Sequence, residues 1–313
     1  MEVPDCSTPT APTRNLITIM APRFKAALID LSGTIHVGHH AIEGAANACQ
    51  KLVKAGIQVK FLTNTSTVSS TTLLRQLRAM GFDESAVPSL ESIVTSAVAA
   101  REFLKRNNLK PFCLVEENLM EDLQISDHDK LNQLGDSNCV LVGLSPTSFN
   151  YQQLNNAYRL LFRLKKQQQV LEESQRKCAT DNNHSLEEPP LLVAIHRAKY
   201  FRDVDKELSL GPGGFVSLLE DAVGVTAHVV GKPSLAMFQT ATQSMSVDEK
   251  DTVMVGDDVA GDIGGALKAG LGAAILVRTG KYLDGDELKL EDGLEPTLVV
   301  NSIVDAVEYI ISE

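Results

Sequence analysis

A chain of 313 residues that is 43% hydrophobic and 22% charged has the make-up of an ordinary globular protein with room for two domains, which excludes disorder as its default state. Its net charge of −11 repels nucleic-acid backbones and anionic membrane surfaces, while a small anionic substrate stays admissible because a bound divalent ion and one lysine reverse the sign locally. The five cysteines, Cys6, Cys49, Cys113, Cys139 and Cys178, are odd in number and lack a C-x-x-C spacing, and no apolar run approaches the ~18 residues of a membrane span, so a disulfide framework and a transmembrane segment are not expected.

In chain order, the apolar stretch at 16–20 is too short for a signal-peptide core, and residues 1–22 are expected as a flexible extension of a cytosolic or nuclear protein. A transit segment is the alternative there, since Arg14 and several Ser and Thr stand beside Glu2 and Asp5. An apolar strand then runs from Phe24 into Asp30 and turns at Gly33. Helical spacing over 42–55 stops at Gly56 before a strand at 57–62, and 69–80 repeats the pattern with Gly81 as its stop. The same alternation predicts a helix at 97–106, strands at 112–115 and 139–142, a helix at 151–164 and a strand at 191–195. Residues 165–190, dominated by Gln, Glu, Ser and Asn and closed by Pro189 and Pro190, read as a mobile loop. Helices at 215–223, 236–245 and 264–269 and strands at 227–230, 252–255 and 273–277 complete an α/β chain.

The first strand puts Asp30 at the carboxyl edge of a sheet, where open α/β folds bind ligands, and follows it with Ser32, Gly33 and Thr34. A carboxylate so placed can attack phosphorus while a cation shields the charge, which points to nucleophilic phosphoryl transfer. Three later segments supply what that chemistry needs, each after an apolar run. Phe61-Leu-Thr-Asn-Thr65 brings a hydroxyl and an amide, Val230-Gly-Lys-Pro233 a cation, and Val253-Met-Val-Gly-Asp-Asp258 further carboxylate. Taken singly, each has a plain structural reading: a strand-end Asp caps a turn, and Thr-Asn or Gly-Lys-Pro is common turn chemistry. Together and in this order they are specific.

That ordered set resembles the haloacid dehalogenase superfamily of aspartate-nucleophile phosphatases, in the branch whose large α/β cap lies between the second and third motifs. The resemblance runs from about Phe24 to the C-terminus and includes Gly211-Pro-Gly-Gly-Phe215 and Val277-Arg-Thr-Gly-Lys281. It implies a doubly wound, Rossmann-like parallel-sheet core over 23–94 and 209–313, with an α/β cap inserted at 95–208 and residues 165–190 as an addition to that cap. It also implies Asp30 as the nucleophile that forms an aspartyl-phosphate. Asp30, Leu31, Ser32, Thr63, Asn64 and Lys232 become the substrate-binding set. Asp30, the main-chain carbonyl of Ser32 and Asp257 become the ligands of Mg²⁺, which suits a hard oxygen set. Thr63 and Asn64 are expected to clamp the non-bridging phosphate oxygens, Asp262 to support the metal ligands, Asp258 to cap the next helix, and Pro233 to begin the helix after Lys232. A small phosphorylated substrate or phosphorylated side chain and a homodimer through the cap are the implied partners, without nucleic acid or membrane.

The family usually carries a second aspartate two residues after the nucleophile, and here that position is Ser32. A serine hydroxyl cannot act as a general acid near neutral pH, although its carbonyl can still bind metal. Alkyl phosphate esters, whose alkoxide needs a proton on departure, should therefore be poor substrates, and phosphoramidates and pyrophosphate better ones. The resemblance points the same way, because a branch directed at phospholysine, phosphohistidine and pyrophosphate also carries serine there. The alternative is a catalytically weak or inactive phospholigand-binding protein in which Ser32 marks lost chemistry; the intact Asp30, Thr63, Lys232 and Asp257 argue against it. His36, His39 and His40 read as a solvated loop, and His196 as either a substrate contact of a cap loop or a satisfied loop residue.

Overall fold

The computed structural model describes residues 23–125, 133–178, 189–202, 207–291 and 293–312. The extension expected over 1–22 lies outside them. From the N-terminus the strands run β1 (Ala26–Asp30), β2 (His36–Val37), β3 (His40–Ala41), β4 (Gln58–Thr63), β5 (Ile93–Thr95), β6 (Pro111–Leu114) and β7 (Cys139–Val142). They continue as β8 (Leu192–Ala194), β9 (Tyr200–Arg202), β10 (Leu208–Leu210), β11 (His228–Val229), β12 (Thr252–Gly256), β13 (Ala273–Val277) and β14 (Leu298–Val300).

Two parallel sheets organise the chain. The larger has the order β14-β13-β12-β1-β4-β5 and the smaller β11-β8-β7-β6, with every pairing in both parallel. The short pairs β2/β3 and β9/β10 are antiparallel. Strand β1 is buried along its whole length because layers cover both faces: Ala26 and Leu28 enter one apolar cluster, Ala27 and Ile29 the other. Its register sets the site. Asp30 pairs with Leu62 on β4 and Ile29 with Val255 on β12, so Asp30, Thr63 and Asp257 emerge together where the strand order reverses about β1. Strand β14 and the helix Ile303–Ser312 close the larger sheet, the helix burying Ile303, Ala306, Val307 and Ile310.

The structure corrects three expectations. Residues 165–178 are helical, not loop: the helix Tyr151–Cys178 continues through them, and 179–188 lie outside the described residues. Ala157, Leu160 and Leu161 anchor it in the core of the smaller sheet, while beyond Leu164 it is sustained by Lys, Gln, Leu and Glu, whose propensity holds a helix that is largely exposed over 166–174. A polar composition alone does not separate such a helix from a loop. Secondly, the chain does not return to the larger sheet at 209. The helix Gly213–Val223 sends Val216, Leu219 and Val223 into the same cluster as Leu160, and β11 pairs with β8. Thirdly, Thr95 ends a strand of the larger sheet, paired with Thr63, where it was expected to open the cap. A strand-helix-strand unit reads the same whichever sheet it feeds, so these boundaries are decided by packing. Leu62 and Val94 of the larger sheet share one apolar cluster with Leu141, Val193 and Val230 of the smaller sheet region, and Leu104 of the helix Ser96–Arg106 belongs to it too.

Candidate active site

An apolar strand that ends in an acid has nowhere to bury the charge unless a cation meets it, and Asp30 is only 6% exposed. The cation is Lys232, whose Nζ lies 2.5 Å from Asp30 Oδ1 and 2.6 Å from Asp262 Oδ1 and donates to Leu62 O at 3.1 Å. Burial works against this ammonium, but Asp262 and Asp30 outweigh it and hold its pKa above the ordinary lysine value. Asp30 Oδ2 accepts from Thr34 Oγ1 at 3.2 Å. The Lys232–Pro233 peptide is cis, and the next helix starts at Leu235 with Ser234 as its N-cap, so Pro233 precedes the helix it was expected to begin.

Asp257 follows β12 directly and is 2% exposed. Its Oδ2 accepts the Lys281 N–H at 2.8 Å, while Oδ1 is buried without a hydrogen-bond partner among the described residues. Asp262 is wholly buried, and its Oδ2 accepts from Asp258 N at 3.1 Å. Oxygens of Asp30, Asp257 and Asp262 lie within 4.8 Å of one another. Burial first, and then the charges of Asp30 and Asp262, push the Asp257 carboxyl up to about 8. Burial and the charges of Asp30 and Asp258 push Asp262 up to about 7 against the pull of Lys232. A crowd of buried acids with one oxygen unsatisfied is a site short of positive charge, and hard oxygen donors of this kind suit a small divalent cation. Asp258 stands apart. It caps the following turn through Ala260 N and Gly261 N and pairs with Lys281 Nζ at 2.7 Å, as a capping reading expects.

The remaining expected residues reach the same edge with other duties. Ser32 is exposed, whereas the Leu31 side chain is buried in an apolar layer and its carbonyl accepts from Ile35 N at 2.9 Å. Thr63 Oγ1 donates to Thr65 Oγ1 at 2.9 Å and accepts from Thr65 N at 3.1 Å. Asn64 Oδ1 accepts from Lys232 N and its Nδ2 donates to Lys232 O, each at 2.9 Å. Within the protein, the hydroxyl and the amide expected to clamp phosphate organise the loop after β4 and orient Lys232.

Sequence reasoning did not find the pairing of Asp262 with Lys232, nor the role of Lys281, since both depend on distant segments meeting. It left His196 open, and the structure gives it a partner: the ring, 8% exposed, brings Nε2 to 2.7 Å from Ser66 Oγ, in the loop after β4. Nδ1 accepts from Ala198 N at 3.3 Å, which puts the ring proton on Nε2 and makes the imidazole the donor to Ser66. Burial pushes His196 down to about 4 and keeps it neutral. His39 and His40 are exposed, as a solvated reading expects, but His40 and the half-buried His36 stand in the strands β3 and β2 of a hairpin where a loop was expected, with His36 Nδ1 3.0 Å from Gly38 O.

Known proteins are similar to this chain in sequence and fold. A sequence model described as haloacid dehalogenase-like hydrolase matches residues 27–128, and a second, HAD-hydrolase-like, matches 229–306. Haloacid dehalogenase-like hydrolase domain-containing protein 2 of Homo sapiens is 38% identical over 288 residues, spanning 92% of this chain and 96% of that protein. Phospholysine phosphohistidine inorganic pyrophosphate phosphatase of Homo sapiens is 31% identical over 291 residues, spanning 92% and 94%. The p-nitrophenyl phosphatase from Archaeoglobus fulgidus superimposes with a TM-score of 0.71 at 26% identity, covering 92% of this chain and 100% of that one. With relatives above 30% identity along nearly their whole length and the same two-sheet fold, the chain belongs to the haloacid dehalogenase-like hydrolases, among the phosphatases of that family.

Proposed function

We propose that this phosphatase is Mg²⁺-dependent, works through an aspartyl-phosphate on Asp30, and prefers phosphoramidates such as phospholysine and phosphohistidine, pyrophosphate and other phosphates with good leaving groups. The observation that carries the reading is the buried group of Asp30, Lys232, Asp257 and Asp262 at the carboxyl edge of the larger sheet. Asp30, the main-chain carbonyl of Ser32 and Asp257 would hold the Mg²⁺; this reading is supported by Asp257 Oδ1, which has no hydrogen-bond partner among the described residues, and by the upward shift of the Asp257 carboxyl that burial beside Asp30 and Asp262 produces. When bound, the ion supplies positive charge beside the non-bridging phosphoryl oxygens.

Asp30 pairs with the Lys232 ammonium and lies at the end of the buried strand β1, which suits an in-line attack. One carboxylate oxygen forms a bond to phosphorus as the bond to the leaving group breaks, and the leaving group takes the electron pair. Lys232 offsets the charge that gathers on the transferred group, and the reciprocal hydrogen bonds of Asn64 fix the lysine's main chain. Water then attacks the acyl-phosphate, releasing phosphate and restoring Asp30.

At Ser32 there is no carboxyl to hand a proton to the departing atom, and this deficit selects the substrate. An alkoxide needs that proton; a nitrogen that arrives protonated, or a phosphate that leaves as a stable anion, does not. Likeness to the phospholysine phosphohistidine inorganic pyrophosphate phosphatase supports the same preference. The test is phosphate release by purified protein on a panel of one phosphoramidate, pyrophosphate and one alkyl ester, with and without Mg²⁺. Release from the first two that stops on chelation is expected. Faster release from the alkyl ester, or release indifferent to chelation, would refute the reading.

A further inference from the structure

We propose that Thr279, Gly280 and Lys281, in the loop leaving β13, form a clamp that positions Asp257 for its cation, so that this loop tunes metal affinity. The inference deepens the proposed function and rests on its assignment of Asp257 as a metal ligand.

Three contacts make the clamp. The Lys281 N–H donates to Asp257 Oδ2 at 2.8 Å, leaving Oδ1 as the oxygen without a partner. Thr279 Oγ1 donates to Gly33 O, so the same three residues also hold the turn that follows Asp30. Gly280 lets both happen at once: its φ is +65°, and a Cβ there would overlap Asp257 Oδ2 and Gly33 Cα. Gly33 closes on the carboxylate as well, with φ +98° and no room for a Cβ beside Asp257 Oδ2. Asp257 therefore sits between two glycines, with one oxygen engaged and little freedom to turn. The Lys281 side chain adds a second restraint. Its Nζ pairs with Asp258 Oδ2 while Asp258 Oδ1 caps the next turn, which keeps Asp258 out of the group formed by Asp30, Asp257 and Asp262.

A carboxylate ligand whose other oxygen is fixed by a donor does not have to be ordered when the cation binds, and removing such a donor or its support costs roughly 10–100-fold in metal affinity. The experiment is calorimetric titration of the full-length protein with Mg²⁺. Thr279→Val, which keeps the shape and loses the hydroxyl, should weaken Mg²⁺ binding about tenfold or more with an unchanged melting temperature, and Thr279→Ser should restore it. A measurement that needs no variant is amide exchange in the wild type: Mg²⁺ should slow exchange at the Lys281 N–H, which Asp257 accepts. Mg²⁺ affinity within about twofold of wild type in a folded Thr279→Val, or Lys281 exchange indifferent to Mg²⁺, overturns the clamp. A wild type that binds no Mg²⁺ overturns the metal assignment itself, which is a different result.

Discussion

The two parallel sheets are built alike, yet the acids at their carboxyl edges are treated in opposite ways. Beyond β6 of the smaller sheet stands Glu116, whose Oε1 accepts from Ser145 Oγ, Thr147 N and Thr147 Oγ1 at 3.0, 3.2 and 2.9 Å. That carboxylate is satisfied by its own neighbourhood. At the larger sheet Asp30, Asp257 and Asp262 crowd one another, and the pKa of two of them rises. The ammonium that relieves the crowding comes from the other sheet: Lys232 stands three residues beyond β11 and reaches Asp30 and Asp262. Glu116 is met by donors beside its own sheet, whereas the acids of the larger sheet share an ammonium from the other one, and such a crowd of perturbed buried carboxyls is what singles out that edge as the candidate site. Neither sheet makes the site alone.

The largest effect that would sharpen or break this contrast is expected at Asp30. Asp30→Asn should lower kcat by about 10⁴-fold or more, since an amide neither attacks phosphorus nor carries charge to a metal. Glu116→Gln, the matching change at the smaller sheet, should leave turnover nearly intact. Comparable losses in phosphate-release assays of the two folded variants would dissolve the distinction.

Ser32→Asp tests the missing acid at the larger sheet's edge. It should speed formation of the aspartyl-phosphate from alkyl esters by about 10²–10⁴-fold and change phosphoramidates and pyrophosphate far less. Single-turnover rates isolate that step from hydrolysis of the intermediate, which the new carboxylate could hasten for every substrate. An equal gain on all three would refute the leaving-group argument.

Lys232→Met removes the borrowed cation. Leaving buried acids unpaired should cost about 3–5 kcal/mol of stability in urea titrations of metal-free protein, with part of the loss restored by Mg²⁺. No change would mean that the two sheets do not depend on one another electrostatically.

A smaller effect follows from pH. Burial and the neighbouring acids raise the Asp257 and Asp262 carboxyls from an ordinary 3.8 to about 8 and about 7, so the folded state binds more protons than the unfolded one across that range. Their contribution is harmless below about pH 4 and grows more destabilising as pH rises through the folded values. The melting temperature of metal-free protein should fall between about pH 5 and 8 relative to Asp257→Asn, and Mg²⁺ should flatten the slope. A slope that Asp257→Asn leaves untouched would place the proton uptake elsewhere.

The smallest effect is expected on the far part of the smaller sheet's helix. Leu171 is 60% exposed, and Leu171→Ala should shift stability by no more than about 0.5 kcal/mol. A larger fall in denaturant midpoint would show that this stretch packs against something.

What the amino-acid order determined by itself was the chemistry at the strand ends. An apolar run that stops at Asp30, another at Thr63 and a third at Gly256 before Asp257 must deliver those groups to one edge if the strands are parallel, because register follows from the runs themselves. The alternation of strand and helix was legible for the same reason: period and glycine stops are local properties. Packing, together with the helix propensity of residues 165–178, decided the rest. Whether β11 joined one sheet or the other, and whether residues 165–178 were coil or helix, turned on packing and propensity that polar composition does not separate. Asn64 and Lys232 lie 168 positions apart, Ser66 and His196 130, and a hydrogen bond over such distances leaves no period or spacing in the chain. The residues proposed to carry the chemistry were visible because local sequence specifies strands; the partners that orient them were hidden because only the folded chain brings their polar atoms within reach.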